Sequence, residues 1–137
     1  MEPITKNSLR DFQRLKQEAK QLQEQLQQSD LALISLKSPV LSGMPSAGKR
    51  TQLEDKIERV EQLRHKYAEA AQRVAMRQLE IEEAIESLEV LERVLIRYKY
   101  IDGYSWVKIA AEMNYSEPML YIIHGHALNK LKDYRKL

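Results

Sequence analysis

Between Thr51 and Asp102 the chain carries neither glycine nor proline, and this uninterrupted stretch constrains the fold more than any other feature. With no residue to free or lock the backbone, propensity permits a single helix of roughly 50 residues, about 75 Å long at 1.5 Å per residue. Its seam residues fall alternately three and four apart: Val60, Leu63, Tyr67, Ala70, Val74, Arg77, Ile81, Ala84 and Leu88, with Arg77 the one misfit. Such spacing lays a narrow apolar stripe along one side of a helix. A stripe that narrow buries too little to hold a helix in water, so it demands a partner.

A second seam lies upstream. Phe12, Leu15, Ala19, Leu22, Leu26, Ser29, Leu33 and Leu36 repeat the same spacing with one polar member, Ser29. The predicted helix runs over 8–36, with Asn7 or Ser8 as its N-cap. Between the seams, KSPVLSGMPSAGKR holds two of the four prolines and two glycines, so 37–50 is expected to be a connector. Thr51 and Glu54 then have the T-x-x-E form of a capping box opening the helix over 51–88. The seams can pair within one chain as an antiparallel hairpin, between chains as a coiled-coil dimer, or in both ways as a four-helix arrangement.

Composition narrows the class. Hydrophobic residues make up 43% and charged ones 31%, with a single Phe, which suits helices sharing thin seams better than a thick aromatic core. No cysteine is present, so neither disulfides nor thiolate chemistry are in play, and a reducing cytoplasm is the expected setting. The apolar runs are far shorter than the roughly 20 residues a membrane span needs. The opening MEPITKNSLRDF lacks the basic-then-apolar order of a secretory signal. The net charge is only +2. From Glu89 onward, however, eight Lys/Arg face six acids while the earlier part is balanced, and Lys130, Lys132, Arg135 and Lys136 stand against Asp133 alone. Those cations suit either a phosphate-facing tail or a helix C-terminus, whose dipole they complement.

After Glu92 the texture changes to three short helices. Leu91, Val94, Leu95 and Tyr98 give the first an apolar face, and Asp102-Gly103 ends it. Ser105 caps a second helix with Val107, Ile109, Ala110 and Met113 inward. Asn114-Tyr115 forms the turn. Ser116 caps a third, with Glu117 and Pro118 in its first turn and Leu120, Ile123, Ala127, Leu128 and Leu131 inward. Two short helices joined by a tight turn, with the small Ala110 where they cross, follow the helix-turn-helix plan. The expected architecture is all-α: a long antiparallel, coiled-coil-like helical arm over 1–88, followed by a small C-terminal helix-turn-helix domain over 89–137.

The stretch Arg97-Tyr98, Tyr100-Ile101-Asp102-Gly103, Ser105-Trp106, Ile109-Ala110, Met113-Asn114-Tyr115-Ser116, His124-Gly125, Ala127-Leu128 and Lys130-Leu131 resembles the region-4-like domain of sigma factors. It is more similar still to phage-encoded transcriptional regulators related to the RinA and ArpU late-gene activators. Leu41-Ser42-Gly43-Met44-Pro45 and Ile85-Glu86-Ser87-Leu88 extend the likeness over most of the chain. The resemblance implies a helix break near Ser87 to Val90, a cytoplasmic site of action in a bacterial host, and double-stranded DNA as partner, read by the third helix in the major groove.

The residues placed to meet DNA are Ser105, Lys108, Ser116, Glu117, Met119, Tyr121, Ile122, His126, Asn129 and Lys130. Relatives usually carry Arg, Lys or Gln at several outward positions of the third helix, because those side chains grip guanine or adenine bidentately. Pro118, Met119 and Ile122 cannot do so; they can touch thymine methyls, while Lys108, Tyr121, His126, Asn129 and Lys130 can hold phosphates. The rival expectation is that this apolar patch meets RNA polymerase or another regulatory protein. Homo-oligomerisation through the arm is expected in either case.

Other signals are weaker. Gly43 to Lys49 spells most of a phosphate-binding loop, but Arg50 stands where Ser or Thr must ligate Mg²⁺ and no strand precedes it. His124 and His126, two apart, point to different helix faces and lack a third ligand, so no metal or other cofactor is expected. His124 is expected to pack beside Ile123 or against backbone, and Trp106 to anchor the second helix on the first. No catalytic arrangement emerges, so the chain is expected not to be an enzyme.

Overall fold

The computed structural model describes residues 3–37 and 47–134, and every regular element among them is helical. In order they are α1 (Lys6–Lys37), α2 (Ala47–Ile85), α3 (Val90–Ile96) continuing into a π-helical turn (Arg97–Ile101), α4 (Trp106–Met113) and α5 (Glu117–Lys132). No helix among the described residues is long and apolar enough to cross a membrane. Residues 38–46, with most of the phosphate-loop-like stretch, and Arg135 and Lys136 lie outside the described residues.

The start of α1 differs from the expected Asn7 or Ser8. Thr5 is the cap: its N–H donates to Ser8 Oγ at 2.7 Å, and the Ser8 N–H donates back to Thr5 Oγ1 at 3.2 Å. That is a reciprocal capping box in which Ser8 replaces the usual Glu or Gln. Ile4 before the cap and Leu9 after it are both buried in one cluster, the hydrophobic staple that sets how the chain enters a helix. Helix α2 begins at Ala47, so Thr51 stands in its second turn rather than ahead of it, and the connector is shorter than 37–50.

The chain forms two compact units, one of Met1–Leu15 with Val74–Leu137 and one of Lys16–Arg73. The expected boundary at 88/89 falls inside the first. In the second unit, Asp30 and Arg64 pair at 2.9 Å. A groove of about 310 Å³ there has Leu33, Val60 and Leu63 in its lining, along with Lys56, Arg59 and Lys66. Only Leu33, Val60 and Ala70 of this unit's described side chains are buried.

The first unit holds two apolar clusters. Ile4, Leu9 and Phe12 of the N-terminal segment join Ile81, Ala84, Ile85 and Leu88, Ile96 with Tyr100 and Ile101, and Ala127 and Leu131 of α5. Leu95, Ile109 and Leu120 form the centre of the other, one from each of α3, α4 and α5. Helix α2 ends at Ile85, and the N–H groups of Ser87 and Leu88 fold back on the carbonyls of Ala84 and Ile85. Glu89 is extended and caps α3, its N–H donating to Glu92 Oε1 at 3.2 Å. The break therefore covers 86–89, overlapping the expected interval of Ser87 to Val90 and beginning one residue before it.

Along α3 the buried residues are Glu92, Leu95 and Ile96; of the expected face Leu95 is buried and Tyr98 packs beside it, while Val94 is half-buried and Leu91 is exposed. Beyond Ile96 the backbone widens into the π turn. The Asp102 N–H reaches Arg97 O, five residues back, at 2.9 Å; the wider turn shifts the inward register by one and buries both Tyr100 and Ile101. Gly103 at φ +74° closes the segment, a conformation that glycine adopts without steric cost.

Candidate nucleic-acid interface

Helices α4 and α5 are each opened by a serine. Ser105 Oγ accepts from the Lys108 N–H at 3.2 Å, and Ser116 Oγ accepts from the Met119 N–H at 3.4 Å. Both hydroxyls thus satisfy first-turn amides that would otherwise lack a partner. Between the helices Asn114 takes φ 58°, ψ 40°, the left-handed conformation that asparagine tolerates better than other side-chain-bearing residues. The turn is tight because Asn114 ends α4 and Ser116 starts α5.

Around this turn Leu95, Ile109 and Leu120 are fully buried, with Trp106, Ala110, Met113 and Ile123 packed against them. Val107, expected inward, is 71% exposed; one residue along a short helix turns the side chain by about 100°, and Trp106 takes the inner place. The burial of Leu120, His124, Ala127 and Leu131 fixes one face of α5 inward. The opposite side of its first half is open: Met119, Tyr121 and Ile122 are 43%, 50% and 55% exposed. Pro118, His126 and Asn129 are exposed too, and Glu117 is half-buried.

Two of the candidate cations are engaged inside the chain. Lys130 Nζ donates to Glu92 Oε1 at 2.7 Å and lies 3.9 Å from Glu89. Its hydrogen bond to Glu92 raises its pKa. Glu92 is buried and accepts from both Lys130 and the Glu89 N–H, so removing the lysine would leave a carboxylate short of donors. Lys130 is therefore a strut between α3 and α5 rather than a freely offered phosphate holder. Lys108 Nζ sits 3.8 Å from the Tyr104 ring centroid, a cation–π contact made by an exposed residue.

Sequence reading missed the aromatic cluster behind α5. The Tyr100 hydroxyl and His124 Nε2 are 2.7 Å apart, with their rings stacked at 5.7 Å. Trp106 meets His124 and Tyr121 edge-on, each at 5.0 Å, so it packs α4 onto α5 as well as onto the cluster that holds Leu95 of α3. Burial, followed by the charges of Lys6, Lys99 and Arg10, pushes the His124 pKa down to about 4. The imidazole is therefore neutral near pH 7, and either tautomer serves the Tyr100 bond, accepting or donating at Nε2. Burial raises the Tyr100 pKa, with Arg10 opposing, so the phenol keeps its proton. No sequence signal pointed to this pair, because the π turn at Arg97–Ile101 that brings Tyr100 inward leaves no periodic trace to read.

Comparison with protein-family models, curated proteins and solved structures produced no match to this chain.

Proposed function

We propose that this chain is a DNA-binding transcriptional regulator of phage or prophage genes, a binder rather than an enzyme, acting through α4 and α5 as a helix-turn-helix. The observation that carries the reading is the open leading half of α5: Leu120 and His124 are clamped inward while Met119, Tyr121 and Ile122 face solvent. A helix held by one face with its N-terminal end uncovered has the form that enters a major groove. Met119 and Ile122 would meet thymine methyls, and Tyr121, His126 and Asn129 would reach phosphates. With few cations on α5, sequence discrimination would be modest.

Duplex DNA binding followed by fluorescence anisotropy tests this. The affinity should fall steeply with added salt, because the release of counterions that drives binding weakens. A chain that shows no duplex binding at low salt ends the reading.

A second reading is favoured by the same exposed methionine and isoleucine: a protein-contact surface, for RNA polymerase or another regulator, that keeps the shape without reading bases. It predicts that Met119→Glu or Ile122→Lys abolishes a protein contact while leaving any DNA affinity unchanged or higher. In either case the Lys16–Arg73 unit, with three buried side chains among its described residues, has the composition of a coiled-coil-like arm that gains cover by pairing with a second copy. Sedimentation of the whole chain should show a mass above 16.1 kDa; a monomer at all concentrations would refute that pairing.

A further inference from the structure

Three cations gather in one corner of the first unit, with no counter-ion among the described residues. Lys6, Arg10 and Gln13 are four and three residues apart on α1, a spacing that puts them on one stripe of a helix. Gln13 Nε2 donates to the Lys99 carbonyl at 2.8 Å, which pins that stripe to the π turn. Lys99 in turn holds its ammonium 4.9 Å from the Trp106 ring centroid, and Tyr121 stands edge-on to the same indole.

The neighbouring acid on α1, Asp11, is paired with Arg14 at 3.0 Å. Arg97 is paired with Glu82 at 2.7 Å, and Lys130 with Glu92. Lys6, Arg10 and Lys99 make no ion pair among the described residues, although their neighbours do. The positive potential is felt inside: Arg10 joins burial in lowering the pKa of Lys99, and all three charges act on His124. Like charges held together this way repel one another, and an anion would relieve that repulsion.

The geometry points to Lys6, Arg10 and Lys99 as a site for the phosphodiester backbone of duplex DNA, lying beside the Trp106–Tyr121 edge that leads to the exposed half of α5. The inference rests on the DNA-binding reading above and deepens it: the charge that α5 lacks comes from the N-terminal helix and the π turn. Tyr121 is the bridge between the two, half-exposed toward solvent and packed on the indole that lies beneath Lys99. Phosphate contacts of this sort set position and affinity without reading sequence.

The test is the salt dependence of binding to a duplex of random sequence, with the emission of Trp106, the single tryptophan, as a local reporter. DNA addition should change that emission in the wild-type chain. The Lys6→Gln/Arg10→Gln/Lys99→Gln variant should lose most of the change, and its log–log salt slope should be shallower by about three, roughly one for each phosphate it no longer neutralises. Glutamine keeps helix propensity. If Lys99→Gln disturbs the fold in circular dichroism, the Lys6→Gln/Arg10→Gln pair, both at exposed positions, should still flatten the slope by about two. An unchanged slope with DNA still bound overturns this site and leaves the DNA-binding reading standing. An equal flattening by Lys56→Gln/Arg59→Gln/Lys66→Gln in the other unit also overturns the site. A wild-type chain that binds no duplex at low salt overturns both.

Discussion

Protonating His124 would place a charge against Lys6, Lys99 and Arg10 and break its neutral arrangement with Tyr100. The folded pKa, about 4, lies below the ordinary 6.5, so the unfolded chain takes up the proton first as pH falls. This contribution is complete above about pH 6.5 and is lost progressively toward pH 4, costing on the order of 3 kcal/mol in all. Urea unfolding at pH 7, 5.5 and 4.5 checks it; His124→Gln should flatten that part of the pH dependence. Tyr100→Phe removes the partner of a buried ring nitrogen and should cost about 1–3 kcal/mol. Lys130→Met should lower the melting temperature by depriving the buried Glu92 carboxylate of a donor, which a surface lysine serving only DNA would not do.

The two described glycines outside the N-terminal turn of α2 carry opposite predictions at the level of the element. Gly125 sits in the middle of α5, and a Cβ there would meet nothing within 4 Å. Gly125→Ala should therefore stabilise the chain by about 0.5–1 kcal/mol through helix propensity alone. Gly103 also has open space around it, but its φ is +74°, and Gly103→Ala should cost about 1 kcal/mol because the left-handed backbone crowds a Cβ. Thermal melts of the two variants should move in opposite directions. If Gly125→Ala melts higher yet binds duplex DNA more weakly, the glycine is there for close approach of a ligand rather than for the helix.

At the scale of the molecule, the N-terminal residues share a core with the last helix. Ile4, Leu9 and Phe12 lie in the same cluster as Ile96, Tyr100, Ala127 and Leu131. Phe12→Ala should cost about 3–5 kcal/mol, and the loss should appear in the melting of the whole first unit. A fragment starting at Glu89 would leave that cluster without Ile4, Leu9, Phe12, Ile81, Ala84, Ile85 and Leu88. Its circular dichroism should show far less helix per residue than the full chain. A fragment that folds with native helicity would instead make 89–137 an autonomous domain, in keeping with the change of texture after Glu92.

Helix was legible along the chain because three-four spacing, serine caps and glycine stops are local instructions. Ser105, Ser116 and Asp102-Gly103 act within one turn of themselves, so their neighbours in sequence are their neighbours in space; the break before Val90 carries no such local instruction and was expected from the resemblance alone. The inward positions Phe12, Leu33, Val60, Ala70, Ile81 and Ala84 were equally readable from period alone. Pairings across long separations were not. Glu92 finds Lys130, Tyr100 finds His124, and Gln13 finds the Lys99 carbonyl only after folding. Each joins groups whose chemistry fits many partners, and tertiary packing selects one by distance. The same packing decides that Trp106 rather than Val107 turns inward, and that Lys6 and Arg10 share a corner with Lys99, since no periodic pattern encodes which helix end lies beside which.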